Sequence, residues 1–496
     1  MKKRTAARSM AALMGAAMVL TACGGGNTTA PTTGASSGGE TQTASESAES
    51  GKITKTDIVV GQASDIVTLD PAGQQDTTSG VLMKHAYSTL LDVDNEGKVV
   101  PDLAESYEMK SDTEYVFKLR EDACFWDGTP VTAQDVKFSL DRAKGMPKTK
   151  SNTSKIEEVT VNGDHEVTIK LTEPYAAFKT IVTQHNLSIL SEKAVTEAGD
   201  SYGDVDNLLG SGPFKVTEWV PNDHYTLVRN DNYWGEMPIA TSITCRVIPE
   251  GSARTIALEA GEIDVVWSVD PTDCANVESN PDVKLLSQPS TGIDYVGMNT
   301  QKEKFSDKRV RQAINYALDK QAFVDTIIEG RGLVANSYIN AAIPGWTDEV
   351  EAYPYDPEKA KELLAEAGYP DGFECSIFVN GDLRTRSAQI LQAQLADVGI
   401  KVDISTYEWG ALLDTLNAGE HEMFLLGWSN TSFDPDGSTY QLFYSGNHGA
   451  TGNRAFFSND KVDELILSAQ RESEESKRME LYKELQFVLH EESPWC

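Results

Sequence analysis

The stretch Phe125-Trp126-Asp127-Gly128-Thr129-Pro130-Val131-Thr132-Ala133-Gln134-Asp135-Val136 lies between a strand pattern and a helix start, and the chain reads outward from it. Thr132-Ala133-Gln134-Asp135 is a capping box. Its hydroxyl and carboxylate can satisfy the first free N–H groups of a helix continuing through Phe138 and Leu140. Before it, Glu114-Tyr115-Val116-Phe117-Lys118-Leu119 alternates with period two, and beyond it Glu166-Val167-Thr168-Ile169-Lys170-Leu171 does the same. Both predict half-buried strands.

Further strands are predicted at Tyr225 to Arg229 and Ser242 to Ile248, and the second half is richer in helix. Ser306 or Asp307 can cap a helix running to about Ile328. Asp356-Pro357 opens another, which Gly368 ends. The Pro- and Gly-bearing loop Asn340 to Tyr355 separates them, and helices follow at Arg386 to Val398, Trp409 to Ala418, Asn459 to Arg471 and Glu475 to His490. Strands and helices mixed without a repeat predict an α/β chain with more than one core.

The N-terminus predicts export. Lys2, Lys3 and Arg4 form a basic region, Ala11 to Leu20 a short apolar one, and Leu20-Thr21-Ala22-Cys23 matches a bacterial lipobox. Ten or so apolar residues are too few to span roughly 30 Å of hydrocarbon. Residues 1–22 are therefore expected to be a lipoprotein signal peptide, with Cys23 lipidated as the mature N-terminus. Residues 23–53 read as a disordered tether of Gly, Ser, Thr, Ala and Glu, with a reach of about 30 Å. The expected location is the outer face of the cell membrane, or its periplasmic side where there is an outer membrane, with attachment by lipid alone.

The formal charge of the whole chain is −33, and loss of Lys2, Lys3, Arg4 and Arg8 makes the mature chain four charges more negative. Such a surface repels phosphate backbones, so no nucleic-acid partner is expected. Lipidation of Cys23 leaves Cys124, Cys245, Cys274, Cys375 and Cys496, an odd number without CxxC spacing, which predicts scattered free thiols. Gly34-Ala35-Ser36-Ser37-Gly38 fits a nucleophile elbow but sits in the tether, without the required strand and helix. Asp92-Val93-Asp94-Asn95-Glu96-Gly97 begins like a calcium loop, but Leu103 stands where a bidentate Glu is needed, so a hairpin turn is expected. Asp434-Pro435-Asp436-Gly437 fails likewise at Ser445. The seven histidines show no paired spacing, and no phosphate-binding glycine motif occurs. No enzyme activity, metal or cofactor is expected.

The opening stretch resembles the FxDGxPxTAxDV segment of the peptide/nickel-type extracellular solute-binding proteins of ABC transporters. In family order, the resemblance continues through Val100-Pro101-Asp102-Leu103-Ala104-Glu105-Ser106, Gly210-Ser211-Gly212-Pro213-Phe214, Asn230-Asp231-Asn232-Tyr233-Trp234 and Ala260-Gly261-Glu262-Ile263-Asp264. It extends to Val310-Arg311-Gln312-Ala313-Ile314-Asn315-Tyr316-Ala317-Leu318-Asp319 and Lys361-Glu362-Leu363-Leu364-Ala365-Glu366-Ala367-Gly368-Tyr369. It implies a two-lobed type II periplasmic-binding-protein fold with a hinge, lobe I covering 54–289 and lobe II 290–496. It also implies capture of short peptides, di- or oligopeptide or glutathione-like, by hinge closure and delivery to ABC permease subunits with ATPase subunits inside the cell. A monomer is expected. Family chains continue past the Glu-x-x-Pro at 491–494 and re-enter lobe I, so a truncation before that crossing segment is expected here.

The resemblance also nominates ligand-binding residues. Trp428 leads toward Asp434 and Asp436, and close peptide-binding relatives carry an aspartate three residues after that tryptophan, where this chain has Thr431. Asp434 or Asp436 can compensate, or they can be turn residues without a ligand. Asn453 and Arg454 lie in a segment similar to glutathione- and peptide-binding members. Arg454, Arg384 and Arg386 can each fork a ligand carboxylate or stand as plain surface arginines, and Trp409 can be ligand-facing or core. Nickel-chelate or sugar binding on the same fold, and a surface sensor or adhesin, are the alternatives.

Overall fold

The computed structural model describes residues 55–496. The predicted signal peptide, Cys23, the tether and the rejected Gly34–Gly38 motif lie outside the described residues. In strand Glu114–Leu119 the alternation places Tyr115, Phe117 and Leu119 inward. It pairs antiparallel with Ala104–Ser111 and Glu166–Leu171, and Ile156–Gly163 completes a four-stranded sheet. The helix predicted from the capping box runs over Ala133–Lys144 and lays Val136, Leu140 and Ala143 into the same core as that sheet. At its start the Asp135 carboxylate accepts the Thr132 backbone N–H at 2.9 Å and the Thr132 hydroxyl at 2.7 Å.

A five-stranded sheet stands beside this unit, in the order Val265–Val266, Asp57–Gln62, Ser242–Val247, His224–Arg229, Phe214–Val220. The Gly210-Ser211-Gly212 motif joins the two parts by close approach. A Cβ on Gly210 would lie 2.0 Å from the Ala86 carbonyl oxygen, and one on Gly212 2.6 Å from the Ala86 carbonyl carbon. Only glycine lets these backbones meet. The rejected calcium loop is the hairpin between Leu91–Val93 and Val99–Pro101, with Asp94 Oδ1 accepting the N–H groups of Glu96 and Lys98 at 2.9 Å each.

The second lobe is built on one mixed sheet, ordered Gly292–Met298, Met423–Ser429, Phe373–Val379, Ile400–Thr406. Helices Lys308–Ala317, Pro357–Glu366 and Gly381–Ala396 pack with one face, while Trp409–Asn417, Asp436–Phe443, Asp460–Arg471 and Glu475–Glu492 pack with the other. Covered on both sides, Met423, Phe424, Leu425 and Leu426 are all buried. At its free edge, Gly292–Met298 is bridged by the final residues, where Val296 and Cys496 exchange two backbone hydrogen bonds of 2.8 Å.

Two helix boundaries differ from expectation. The helix predicted to run to Ile328 is two helices, because Leu318 turns extended and Asp319 caps Lys320–Ile327 by accepting the Ala322 N–H at 2.9 Å. The helix expected from Arg386 begins at Gly381, whose φ of +70° suits a residue without a side chain. The five cysteines from Cys124 to Cys496 are free thiols. Among the described residues, no helix is long and apolar enough to cross a membrane.

Candidate functional site

Between the lobes lies a cleft of about 2040 Å³. The first lobe contributes the segments around Asp65, Lys148, Trp219 and Asp270, and the second those around Tyr295, Asn340, Arg384 and Trp409. Loops and strand ends supply most of this wall. That is where a two-lobed scaffold leaves polar groups free to face a ligand.

Among the described residues, Arg386–Asp270, Arg331–Glu278 and Arg471–Glu173 are ion pairs between the lobes. Arg386 Nη2 donates to both oxygens of Asp270, at 2.9 and 2.7 Å. Asp270 also accepts the backbone N–H of Thr272 at 3.1 Å and its hydroxyl at 2.7 Å. Burial pushes this carboxyl up, but the hydrogen bonds from Arg386 and Thr272 outweigh it and hold the group below the usual aspartate range. Arg254 beneath it donates to the carbonyls of Ile248, Pro249 and Ser268 at 2.7, 2.9 and 3.2 Å, pinning the first lobe's rim.

Arg384 and Trp409 face the cleft together, the guanidinium 5.9 Å from the indole centroid. Arg384 Nη1 donates to Asn380 Oδ1 at 2.8 Å, while Asp294 is held loosely at 3.7 Å. Arg384 Nε and Trp409 Nε1 have no acceptor among the described residues. A buried donor left in that state costs about 1–3 kcal/mol, so an acceptor brought by a ligand is favoured here. The charges of Arg454 and Arg384 both act on Tyr295, which stacks on Trp495 at a 3.5 Å centroid separation.

The other nominated residues are engaged within the protein. Trp428 donates its indole N–H to the Gly437 carbonyl at 2.9 Å. Asp434 is paired with Arg478, one contact measuring 3.0 Å, and both side chains are nearly enclosed. Asp436 accepts the Tyr175 hydroxyl of the first lobe at 2.6 Å and the Gln470 amide at 2.9 Å, so it docks one lobe on the other. Asn453 holds its loop, donating to the carbonyls of Tyr444 and Phe457 at 3.2 and 2.9 Å. Arg454 is buried, with Nε on Asn417 Oδ1 at 3.0 Å and no acidic side chain in bonding range among the described residues. Thr431 is exposed and meets Gln184 of the first lobe at 3.4 Å. Asp270, Tyr295 and Lys148 escaped the sequence reading because no periodic or motif signal surrounds them.

Comparison with known proteins agrees with this architecture. The family described as "Bacterial extracellular solute-binding proteins, family 5 Middle" matches residues 98–450. The glutathione-binding protein GsiB of Escherichia coli strain K12 is 32% identical over 458 residues, covering 88% of each chain. The DppA periplasmic binding protein of Helicobacter pylori, solved with the peptide STSA, superposes with a TM-score of 0.85 at 29% identity, covering 88% of this chain and 91% of that one. The oligopeptide-binding protein AppA of Bacillus subtilis, solved with a nonapeptide, gives 0.82 at 27% identity, with coverage of 88% and 92%. These relatives are binding proteins of transporters, not enzymes, and with them the chain belongs to the family 5 bacterial extracellular solute-binding proteins, which serve ABC importers.

Proposed function

We propose that this protein captures short peptides, di- or oligopeptide or glutathione-like, in the interlobe cleft and hands them to an ABC permease. The observation that carries the reading is the pairing of Arg384 with Trp409 on the cleft wall, each with a buried donor that has no acceptor among the described residues. The cleft is larger than the roughly 300–1,000 Å³ of an ordinary small-molecule pocket, which leaves room for side chains and bridging water. Relatives bound to peptides or named for glutathione support the same ligand class. Arg386 acts in this reading as a closure contact, whereas Trp428, Asp434, Asp436 and Asn453 build the wall behind the site. Lipidation of Cys23 and the tether hold the protein, as a monomer, at the membrane.

Native mass spectrometry of protein purified with its endogenous ligand, followed by calorimetry against di- to pentapeptides, tests this. Micromolar or tighter binding of a peptide is expected. Binding of a metal chelate or a sugar with no peptide bound would overturn it. A Cys23→Ala variant should leave the membrane fraction, and retention there would refute the lipid anchor.

A further inference from the structure

The second-lobe wall of the cleft carries apolar side chains that no core claims. Phe323, Ile328, Val334 and Ile390 are half-buried and Leu333 is 91% exposed, and all five line the cleft. None of them belongs to, or packs against, any of the four hydrophobic cores of the described residues. A lone exposed leucine is ordinary. Several apolar side chains left uncovered in one concave wall are not, and they mark a place where an apolar group binds.

Three segments bring them to one end of the cleft. Helix Lys320–Ile327 packs against helix Gly381–Ala396, and the Asp319 N–H donates to Gln394 Oε1 at 3.1 Å. Phe323 lies one turn beyond Asp319 and Ile390 one turn before Gln394, so both sit along that packing. The chain then doubles back, with the N–H groups of Gly330 and Arg331 donating to the carbonyls of Val324 and Ile328 at 2.9 Å each. The strap 332–335 follows and lies on Ile328, since a Cβ on Gly332 would stand 2.6 Å from Ile328 Cδ1. Asn336 holds its far end, donating to the carbonyls of Thr347 and Val350 at 3.0 and 2.8 Å. At its near end Arg331 pairs with Glu278 of the first lobe at 3.0 Å, and Arg386 pairs with Asp270 at 2.7 Å. Both arginines thus dock on one short first-lobe stretch. Leu333 is two residues beyond the first of them, and Ile390 one helical turn beyond the second.

Arg384, Ser387, Ile390 and Gln394 line the cleft from one face of helix Gly381–Ala396. At 1.5 Å per residue, Ile390 lies about 9 Å along the axis from Arg384. An extended peptide covers that span in about three residues. We infer that Phe323, Ile328, Leu333, Val334 and Ile390 form a subsite for one large apolar side chain of the ligand, about three residues before the carboxylate that Arg384 receives. This rests on the cleft being the site of a peptide binder, and it narrows the class of peptide. A chain of four or more residues with a bulky apolar residue fills both places at once. Glutathione, three residues long with a short thiol side chain in the middle, fills only one. The first lobe presents Val269 and Pro271, on either side of Asp270, to the same cleft, so closure adds apolar surface opposite the seated side chain.

Calorimetry on the intact protein with Phe-Ala-Ala-Ala, Ala-Ala-Ala-Phe and tetra-alanine tests it. Phe-Ala-Ala-Ala should bind about ten-fold or more tightly than either of the others. Leu333→Ser, at a side chain that packs on no core, and Ile390→Ser should each narrow its lead over tetra-alanine several-fold. Equal affinity for the three peptides, a lead for Ala-Ala-Ala-Phe, or a lead unchanged in both variants overturns the inference and leaves the peptide reading intact. So does binding of other short peptides with none of these three bound. Sedimentation of the unliganded protein covers the other occupant, a second copy: self-association that Leu333→Ser abolishes, with the lead unchanged, also overturns the inference. Failure of every peptide to bind overturns both.

Discussion

Arg386 of the second lobe and Asp270 of the first form a side-chain ion pair across the cleft, with Nη2 shared between the two carboxylate oxygens at 2.9 and 2.7 Å. The Asp270 side chain is only 7% exposed, whereas that of Arg386 is 38% exposed and screened by solvent. Its contribution should therefore stay near the roughly 0.2–1 kcal/mol typical of exposed pairs. Arg386→Ala should leave the melting temperature nearly unchanged while weakening ligand retention several-fold, because the pair exists only with the lobes together. Stopped-flow dissociation and small-angle scattering of the unliganded variant read this out. An unaltered off-rate and radius of gyration would remove the pair from the closing mechanism.

Asp434 and Arg478 make a contrasting pair, with side chains 11% and 5% exposed. Asp434→Ala strands a buried guanidinium, which ordinarily destabilises by about 3–5 kcal/mol. Peptide affinity of the folded fraction should be unchanged, since the carboxylate faces Arg478 rather than the cleft. Chemical denaturation and calorimetry on one preparation separate the effects. A stable variant with lost affinity would return Asp434 to the ligand.

Much of the first lobe is legible from period and caps, and much of the second is not. Tyr115, Phe117 and Leu119 alternate because only one face of their sheet is buried. Met423, Phe424, Leu425 and Leu426 form an apolar run buried on both faces, so the central strand of the second lobe carries no period-two signal. The break at Leu318-Asp319 hides in a continuous helical pattern, where one aspartate serves as a cap rather than a solvated face. At the cleft, Arg384 could be nominated only as a residue type able to fork a carboxylate, and Trp409 only as ligand-facing or core. Asp270 could not. It draws its meaning from Arg386, 116 positions away, brought near by the meeting of the lobes.

Arg384 offers the clearest separation of binding from stability. It is half-buried, one nitrogen is unpartnered, and its nearest acid is 3.7 Å away. Arg384→Gln should weaken peptide binding ten- to hundred-fold, matching the roughly 1.5–3 kcal/mol of a hydrogen bond to a charged group. Its melting temperature should hold. Trp409→Phe, which deletes the indole N–H and keeps a ring, should produce a smaller loss of the same kind. Full affinity in Arg384→Gln, measured by calorimetry, would relocate the carboxylate contact.

Asp436 should give the fold an unusual pH dependence. Burial, then the charge of Asp434, raises its carboxyl to about 6 against hydrogen bonds from Tyr175 and Gln470, compared with an ordinary value of 3.8. The folded state thus keeps this proton up to about pH 6, while the unfolded chain releases it near 4. Between those values the folded state binds more protons, so the contribution of Asp436 falls as pH rises, by up to about 3 kcal/mol once both have ionised. Depressed carboxylates such as Asp270 act oppositely and lower down, their stabilisation being lost only as pH falls below about 4. The acidic chain as a whole also repels itself less toward low pH, so the informative quantity is the difference between wild type and Asp436→Asn. Asparagine can still accept from one neighbour and donate to the other, and it carries no charge to bury. The variant should match the wild type near pH 4.5 and exceed it in stability at pH 7. Denaturation curves of the two proteins that stay parallel from pH 4 to 7 would show that Asp436 is ionised throughout.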